Sequence, residues 1–333
     1  MRDGGRGARV GGPGRARRRV GPLAAAVAVL AAGAAAVVRA ASPSAAATPS
    51  PGTTASPAIV LHAVHGASYL PALEGQRPLY ILALGSDARP GQDVTHGSHS
   101  DSIHLIGVNL RTHHATLLGF PRDAWVNIPG VGMAKLTTAM FYGGPNLVVQ
   151  VIRQITGITP DFYAVTSFPG LVNMVNGIGG LTVRVQVPMY DPYSGADFST
   201  GIHRFDGQQA LSFARDRHTF ANGDFSRSGD QGILLLSALR KLDAAFAKDP
   251  AAILGWLSVF WRNIWTDLPP PTLVRLAFAA TEIPPANVNN VVVPGTGGIV
   301  GNQDVVFLAP QAQALYASMR ATGTAPGSFT PVG

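Results

Sequence analysis

From Pro78 onward, short apolar runs of strand length alternate with longer segments of helical periodicity. Leu79–Gly85 and Ser102–Asn109 each have the length and apolar content of a buried strand. Phe168–Ile178 has the apolar spacing of a helix and is followed by two glycines, which commonly end helices. This alternation, without a long unstructured interior segment, predicts an α/β fold in which one central sheet is flanked by helices.

The remaining periodic segments extend this alternation along the chain. One helix start is specified in detail, because Asp206 followed by Gln209 has the form of a capping box that opens a helix running through Ala214. We predict further strands at Ala115–Phe120, Leu181–Val187 and Val288–Val293, and further helices at Asn146–Ile155, Gly229–Leu242, Thr272–Ala280 and Gln311–Met319.

The amino-terminal part of the chain has the pattern of a membrane anchor. Residues 1–20 contain seven arginines and one acid, and an uncharged Ala/Val/Leu-rich run, Gly21–Val38, follows them. As a helix, this run is just long enough to cross a bilayer about 30 Å thick. Because cationic flanks stay on the cytoplasmic side, we expect a cytoplasmic tail at 1–20 and a transmembrane signal anchor at 21–40. A signal peptide cleaved within the Ala-rich segment after this run is the alternative, and both interpretations export the rest of the chain.

The anchor is separated from the globular part by a segment that cannot build a core. Residues 41–58 are Ala, Ser, Thr and Pro apart from one glycine, which is typical of a linker. Residues 59–77 carry no clear pattern, so we assign 41–77 to the linker and the segment leading into the fold. Residues 78–333 then form the extracytoplasmic domain.

The net charge of +7 is concentrated near the amino terminus. Residues 1–20 hold seven arginines and Asp3, and Arg39 is the next basic residue. Removing these eight arginines and Asp3 from the totals of 25 basic and 18 acidic residues leaves 17 of each. The exported part is therefore neutral, which predicts no nucleic-acid partner.

Several kinds of active site are excluded by the sequence. The chain has no cysteine, which excludes disulfides, thiol nucleophiles, Cys-ligated zinc and iron–sulfur clusters. It also lacks a P-loop, an HExxH zinc motif, a GxSxG nucleophile elbow and a GxGxxG dinucleotide motif.

Charged side chains of the globular part fall at the ends of predicted elements rather than along helix faces. Asp87 and Arg89 follow the first strand, and Asp101 precedes the second. Arg227 and Gln231, near the start of a helix, are four residues apart and so share one helix face. The other members of this set are Arg122, Asp123, Arg215, Asp216, Arg217 and Asp224.

This distribution favours an anion-binding site. Ligands of open α/β sheets bind at strand ends, where loops converge. A guanidinium makes bidentate bonds to phosphate oxygens, which an ammonium cannot reproduce. Asp87 and Asp101 would oppose an anion unless they hold a hard divalent cation that shares the phosphate. For each Arg–Asp pair taken singly, an ordinary surface salt bridge is the alternative.

The order and spacing of these motifs resemble the LytR-CpsA-Psr family. The resemblance runs from about Leu79 to Leu242, and the basic tail, the single hydrophobic helix, the linker and the later segment NIWTDLPPPTLVRLA also resemble that family. The matching stretches are LYILALGSDARPG, HSDSIHLIGVNL, ATLLGFPRDAWVNIPGVGMAKLTTAMFYGG, DFYAVTSFPGLVNMVNGIGGLTVRV, FDGQQALSFARDRH and GDFSRSGDQGILLLSALRKL.

The resemblance implies a fold and a reaction. The fold would be a three-layer α/β/α domain with a mixed central β-sheet and an apolar tunnel for a lipid, preceded by one transmembrane helix. The reaction would move a glycopolymer from an undecaprenyl- or decaprenyl-pyrophosphate carrier to a peptidoglycan hydroxyl, forming a phosphodiester. The anchor would keep the domain close to a substrate that stays in the membrane.

The resemblance also assigns roles to residues by position. Asp87 and Asp101 would bind Mg²⁺ (or Mn²⁺). Arg122, Asp123 and Arg217 would be catalytic, and either Asp123 or Asp216 would be the base, a choice that the sequence does not make. The pyrophosphate would be bound by Arg89, His99, Arg122, Lys135, Arg215, Arg217, Arg227 and Gln231.

Four positions depart from the family pattern. His99 stands where the family usually has Arg, and an unperturbed histidine is mostly neutral at pH 7. Thr137 replaces the usual Asn, Asp230 replaces an Arg before the glutamine, and Asn176 replaces an Asp before the Gly-Gly turn.

These departures leave alternatives to an active transferase open. One is a diverged, weakly active or regulatory member, and another is a non-catalytic module that binds polyprenyl phosphate or the wall. A transcriptional attenuator is disfavoured, because the sequence has no helix-turn-helix pattern.

Overall fold

The computed structural model describes residues 69–329, together with Met1. The predicted tail at 1–20, the anchor at 21–40 and all but the last residues of the linker at 41–77 lie outside the described residues. Within the part that is described, no helix has both the length and the apolar character that crossing a membrane requires.

The secondary structure alternates between strands and helices, as predicted. The strands are β1 Leu79–Ser86, β2 Ser100–Asn109, β3 His114–Gly119, β4 Trp125–Ile128, β5 Gly132–Lys135, β6 Phe162–Ser167, β7 Leu181–Val185, β8 Met189–Asp191, β9 Ala196–Phe198, β10 Gly201–Phe205, β11 Trp265–Thr266, β12 Val288–Val292, β13 Gly295–Val300 and β14 Gln303–Leu308. The helices are α1 Leu70–Leu73, α2 Thr138–Thr156, α3 Phe168–Gly177, α4 Gly207–Arg215, α5 Gly223–Lys248, α6 Ala252–Trp261, α7 Pro270–Thr281 and α8 Ala312–Thr322.

A mixed central sheet organises the fold. Its strand order is β11-β6-β1-β2-β3-β12. β1 pairs antiparallel with β2 and parallel with β6, and β3 pairs antiparallel with β2 and parallel with β12. The prediction of an α/β fold with a mixed central sheet is therefore confirmed.

Helices lie against both faces of this sheet. Successive strand residues point to opposite faces, and on β1 this alternation separates two environments. Leu82 and Leu84 join a core that includes Ile152 of α2 and Tyr316 of α8. On the other face, Ala83 lines a cavity that is closed by side chains of α3, α5 and α6. Burial on both faces explains why the strands are continuous apolar runs.

A smaller core beside the sheet supports the loops of the site. Phe198, Phe205 and Phe213, from β9, β10 and α4, pack together there. α4 begins with the predicted capping box, in which Asp206 accepts from the backbone N–H of Gln209 and the Gln209 side chain accepts from that of Asp206. The capping box fixes the start of α4, and the helix ends at Arg215.

Two helices begin earlier than the sequence predicts. α2 is interrupted at Gly143 and Gly144, where Gly144 has φ +62°, a conformation that glycine adopts readily. The prediction found only the part that starts after this kink. α5 begins at Gly223 rather than at the predicted Gly229. The prediction missed its first turns because they bury polar side chains and therefore lack the apolar stripe by which a helix is recognised.

Candidate functional site

The site forms where β1 ends and β2 begins. Because these strands are antiparallel, the chain after Ser86 and the chain before Ser102 meet at one edge of the sheet. Asp87 and Asp101 consequently line the same polar cavity, which has a volume of about 280 Å³. The cavity wall consists of Asp87, Arg89, Gln92, Gly97, Ser98, His99, Asp101, Phe168 and Arg215.

His99 and Asp87 are held together inside this cavity. Asp87 Oδ1 accepts a hydrogen bond of 2.7 Å from the backbone N–H of His99, and His99 Nδ1 lies 3.7 Å from Asp87 Oδ2. The imidazole ring stacks on Phe141, with the ring centroids 5.4 Å apart. The residue that departs from the family pattern therefore still lines the cavity.

Arg122 is the centre of a charged cluster beside the cavity. Its guanidinium forms an ion pair with Asp101, and its Nε lies 3.9 Å from Asp123 Oδ1. Lys135, at the end of β5, places Nζ 3.3 Å from the same Asp123 oxygen. Burial opposes the charged form of Arg122, but Asp101, Asp123 and Asp224 outweigh it and raise the pKa of Arg122 above its ordinary value. Arg122 is thus a permanent cation.

One donor of Arg122 is left open. Its Nε is buried and has no hydrogen-bond partner among the described residues. A buried donor without a partner costs free energy, and a bound acceptor can satisfy it. The backbone around Arg122 is fixed by Thr137, whose N–H donates to the Arg122 carbonyl and whose hydroxyl donates to the Ser100 carbonyl. Thr137, another departure, therefore tethers Arg122 to β2.

The first turn of α5 joins the same cluster. Asp224 accepts a 3.0 Å hydrogen bond from the backbone N–H of Asp123 and forms an ion pair with Arg227. Arg227 is only 4% exposed. Burial and the nearby charge of Arg122 lower the pKa of Arg227 even though Asp224 opposes the shift. A second guanidinium is therefore buried next to the first.

Gln231 connects three elements of the site. It lies one turn after Arg227 on the same helix face, as predicted from the spacing. Its side-chain amide donates to the carbonyl oxygens of Asp101 and Ala214, both at 3.1 Å. The start of β2 and the end of α4 are thereby locked to α5, and Arg215 at the end of α4 lies over the Phe168 ring at 5.1 Å.

Two predicted arginines are exposed rather than built into the cluster. Arg89 lies in the loop after β1 and lines the polar cavity. Arg217 lies in the loop after α4, and no carboxylate of residues 69–329 forms an ion pair with either side chain. Both guanidiniums are therefore available to a ligand.

A second cavity adjoins the polar one. It has a volume of about 210 Å³ and lies between the sheet and helices α3, α5 and α6. Its lining is apolar for the most part, with Leu171, Met174 and Leu234 among the contributors. Three residues line both cavities, namely Asp101, Phe168 and Arg215. The combined space suits a ligand with an anionic head and an apolar tail.

Two acidic residues near Arg217 are buried. Asp216 is fully buried, and its Oδ1 accepts from the backbone N–H groups of His218 and Thr219 at 3.1 and 3.2 Å. These two bonds let Asp216 fix the backbone of its own loop. Burial raises the pKa of Asp230 well above its usual range, and the charge of Asp216 raises it further.

Sequence reasoning missed a contact between Asp191 and His218. Asp191 ends β8, and its carboxylate lies 3.0 Å from Nδ1 of His218. The available signal was that His218 directly follows Arg217, but its partner lies in a hairpin too short to predict.

The carboxylates suit a hard cation only in combination with a ligand. No cluster of three or more His, Cys, Asp or Glu side chains is arranged for a metal within residues 69–329. Asp87 and Asp101 nevertheless share one cavity and offer carboxylate oxygens. Two carboxylates completed by phosphate oxygens and water are a common way to bind Mg²⁺.

Comparison with known sequences identifies relatives. A sequence model of the LytR-CpsA-Psr family matches residues 41–321. The probable cell wall biosynthesis protein LcpB of Corynebacterium glutamicum is 40% identical over 157 residues, which cover 44% of this chain and 37% of LcpB. The polyisoprenyl-teichoic acid–peptidoglycan teichoic acid transferase TagU of Enterococcus faecalis is 32% identical over 171 residues, covering 51% of this chain and 55% of TagU. The matches thus span about half the length of these curated relatives, or less.

Comparison with solved structures supports the fold. A crystal structure of a Streptococcus agalactiae protein superposes with a TM-score of 0.67 and 22% sequence identity, covering 79% of this chain and 94% of that one. This likeness concerns the α/β arrangement around the mixed sheet. The sequence match over residues 41–321 shows that the chain belongs to the LytR-CpsA-Psr family.

Proposed function

We propose that this protein transfers a glycopolymer, together with one phosphate, from a polyprenyl-pyrophosphate carrier to a hydroxyl of peptidoglycan. The observation that carries the proposal is the shared wall of the two cavities, formed by Asp101, Phe168 and Arg215. A polyprenyl pyrophosphate has an anionic head for one cavity and an apolar tail for the other. The name of the relative TagU describes transfer from a polyisoprenyl carrier to peptidoglycan.

The guanidiniums in and around the cluster suit a pyrophosphate diester, which carries about two negative charges. Arg227 is buried and Arg122 is partly buried, so their attraction for phosphate oxygens is screened less than it would be at the surface. The Nε of Arg122 has no hydrogen-bond partner among the described residues, so it remains a donor for a phosphate oxygen. Exposed Arg89 lines the polar cavity and adds charge there, and exposed Arg217 follows α4 by two residues. We infer that these arginines hold the diphosphate and stabilise the charge that builds on its oxygens.

Asp87 and Asp101 would hold Mg²⁺ or Mn²⁺ next to the diphosphate. Bound there, the cation would neutralise phosphate oxygens and stabilise the departing phosphate. The ion pair between Asp101 and Arg122 implies an exchange of partners, because Asp101 would turn to the cation and Arg122 to the phosphate.

Phosphoryl transfer requires positioning and charge stabilisation more than covalent chemistry. Arg122 and Arg227 would orient the glycan-bearing phosphorus. Gln231 would hold the start of β2 and the end of α4 against α5 beside it. The acceptor oxygen attacks that phosphorus, and polyprenyl monophosphate leaves. The product is a phosphodiester between the glycopolymer and peptidoglycan.

We further propose that the domain works outside the cell, tethered by a single-pass anchor at 21–40 with a cytoplasmic tail. The support is the run of arginines followed by the uncharged segment Gly21–Val38. A polyprenyl donor stays in the bilayer, so tethering keeps the apolar cavity within its reach.

A transfer assay tests this function. The full chain in lipid vesicles is incubated with Mg²⁺, peptidoglycan and a polyprenyl pyrophosphate that carries a labelled disaccharide. The label that becomes attached to peptidoglycan is then measured. We expect transfer by the wild type and by the Arg111→Ala control, which alters an exposed turn. Arg122→Ala loses a charge-assisted bond of about 1.5–3 kcal/mol, a loss of roughly 10–100-fold.

Two outcomes would contradict the proposal. Equal rates for Arg122→Ala and Arg111→Ala would remove Arg122 from the transfer reaction. Binding of the donor by the wild type without any labelled product would instead indicate a polyprenyl-phosphate-binding protein.

A further inference from the structure

We propose that His218, oriented by Asp191, is the general base that removes the proton from the acceptor hydroxyl. This inference rests on the transfer reaction proposed above, and it names a catalytic residue for that reaction. It comes from the geometry of one buried carboxylate and one exposed imidazole.

The carboxylate of Asp191 is fixed from several directions. Asp191 is fully buried at the end of β8. Its Oδ2 lies 3.0 Å from Nδ1 of His218 and accepts from the backbone N–H of Arg217 at 3.4 Å, and its Oδ1 accepts from that of Tyr193 at 2.9 Å. Burial acts to raise the pKa of Asp191, but the bonds from His218, Tyr193 and Arg217 lower it to about 2. Asp191 is therefore an anion at physiological pH.

An anionic partner decides the tautomer of the imidazole. A carboxylate can only accept, so Nδ1 of His218 carries the hydrogen and Nε2 carries the lone pair. Among the described residues, Nε2 has no hydrogen-bond partner. The side chain is 44% exposed, so an incoming hydroxyl can reach the imidazole.

The surroundings of His218 hold the ring without blocking it. The Tyr193 ring lies against the imidazole with the centroids 4.8 Å apart. Asp191 and Tyr193 face His218 from the hairpin, and Asp216 and Arg217 are the charged groups of its own loop. Asp216 accepts from the backbone N–H of His218, so the loop is fixed as well as the ring.

The loop that carries His218 abuts the arginine cluster. His218 directly follows Arg217, whose carbonyl oxygen packs against Gly223, the first residue of α5. A Cβ on Gly223 would lie only 2.7 Å from that oxygen. The next residue, Asp224, pairs with Arg227 and accepts from the backbone of Asp123. The base is thus attached to the element that would hold the diphosphate.

The two bases considered from the sequence are less suitable. Asp123 lies between Arg122 and Lys135, so its carboxylate is paired with two cations. Asp216 is fully buried and its Oδ1 already accepts two backbone hydrogen bonds. A substrate hydroxyl can reach His218 without displacing either interaction.

The proposed step balances as follows. An electron pair of the acceptor oxygen forms a bond to the glycan-bearing phosphorus, and the hydroxyl proton passes to Nε2 of His218. The bond from that phosphorus to the bridging oxygen breaks, and polyprenyl monophosphate leaves with its electron pair. Asp191 stabilises the imidazolium until it returns the proton to solvent.

The test is transfer by the full chain in vesicles, with a disaccharide-labelled polyprenyl pyrophosphate and peptidoglycan, measured across pH. We expect His218→Ala to lose about 10²–10⁴-fold in transfer rate, and added imidazole to restore part of it. The wild-type rate should rise with pH, as a general base requires, and the variant should lack this rise. His114→Gln, at the exposed first residue of β3, should match the wild type.

Binding separates a catalytic role from a structural one. Geranylgeranyl pyrophosphate should bind His218→Ala and the wild type equally, which shows that the variant is folded and keeps its binding site. A variant with the wild-type rate and pH profile overturns the assignment while leaving the transfer function intact. A loss of rate that comes with weakened binding, and that imidazole does not rescue, also overturns it. Absence of transfer by the wild type overturns the proposed function, and the role of His218 falls with it.

Discussion

The guanidinium of Arg122 forms an ion pair with the carboxylate of Asp101. The two residues are 21 positions apart in sequence, and the β2–β3 pairing and the loop after β3 bring them together. A side chain proposed to bind phosphate is thus paired with one proposed to bind a cation. The ion pair must break before Arg122 can bind phosphate and before Asp101 can bind the cation. The binding of phosphate and the binding of the cation should therefore depend on one another.

We therefore predict cooperative binding of metal and pyrophosphate. Mg²⁺ should tighten the binding of geranylgeranyl pyrophosphate, measured by titration calorimetry, by about 5–150-fold, the usual range for such coupling. Asp101→Asn should abolish the enhancement, whereas Asp197→Asn, at an exposed position of β9, should preserve it. Equal enhancement in both variants would exclude Asp101 from the coupling.

His99 allows the charge of the polar cavity to be increased. Replacing it with arginine restores the residue usual at this position and adds a permanent cation next to Asp87. We expect His99→Arg to preserve or raise the transfer rate at pH 8, because an arginine side chain is always charged and can bind phosphate oxygens in a bidentate way. A lower rate than that of a His114→Arg control would mean that His99 has a role of its own.

Asp230 should make the protein less stable as pH rises. Burial and the charge of Asp216 raise its pKa above the unfolded value, so between the two values the folded chain binds more protons than the unfolded one. The stabilisation is complete below the unfolded pKa and is lost as pH rises toward the folded one. In a plot of the free energy of unfolding against pH, Asp230→Asn should reduce the downward slope by up to about 1.4 kcal/mol per pH unit. Identical denaturation curves across pH would refute the assignment.

His104 should act in the opposite direction. It is fully buried, with Nε2 donating to the Ser228 carbonyl at 3.1 Å and Ser102 Oγ 3.2 Å from Nδ1. Burial lowers its pKa to about 4 even though the bond to Ser228 opposes the shift. Its stabilisation is present above the unfolded pKa of about 6.5 and is lost as pH falls. The free energy of unfolding, measured with urea, should fall by on the order of 3 kcal/mol in the wild type as pH falls from the unfolded pKa to the folded one. His104→Gln should lack this fall, and the same fall in the variant would contradict the assignment.

Local features of the fold could be predicted from the sequence. The apolar run of β1 and the capping box at Asp206 and Gln209 are signals carried by neighbouring residues. The first turns of α5 could not be predicted in the same way, because Arg227 and Asp230 are buried polar residues that interrupt the apolar period. Their burial is decided by contacts from distant parts of the chain.

The site was predicted as a set of residues but not as a set of contacts. The end of β1 indicated Asp87 and the start of β2 indicated Asp101, because ligands of an α/β fold bind where strands end and loops converge. The hydrogen bond between Asp224 and the backbone of Asp123 joins residues 101 positions apart and leaves no periodic trace. Asp191 escaped notice because it lies in the short hairpin of β8 and β9.

Phosphorus-31 NMR of the transfer reaction tests the central claim most directly. The full chain is mixed with Mg²⁺, peptidoglycan and the lipid-linked donor, and the two pyrophosphate signals are followed. We predict that they are replaced by one phosphomonoester, the released polyprenyl phosphate, and one phosphodiester in peptidoglycan, in equal amounts. Persistence of both pyrophosphate signals, or their conversion into two monoesters, would contradict the account.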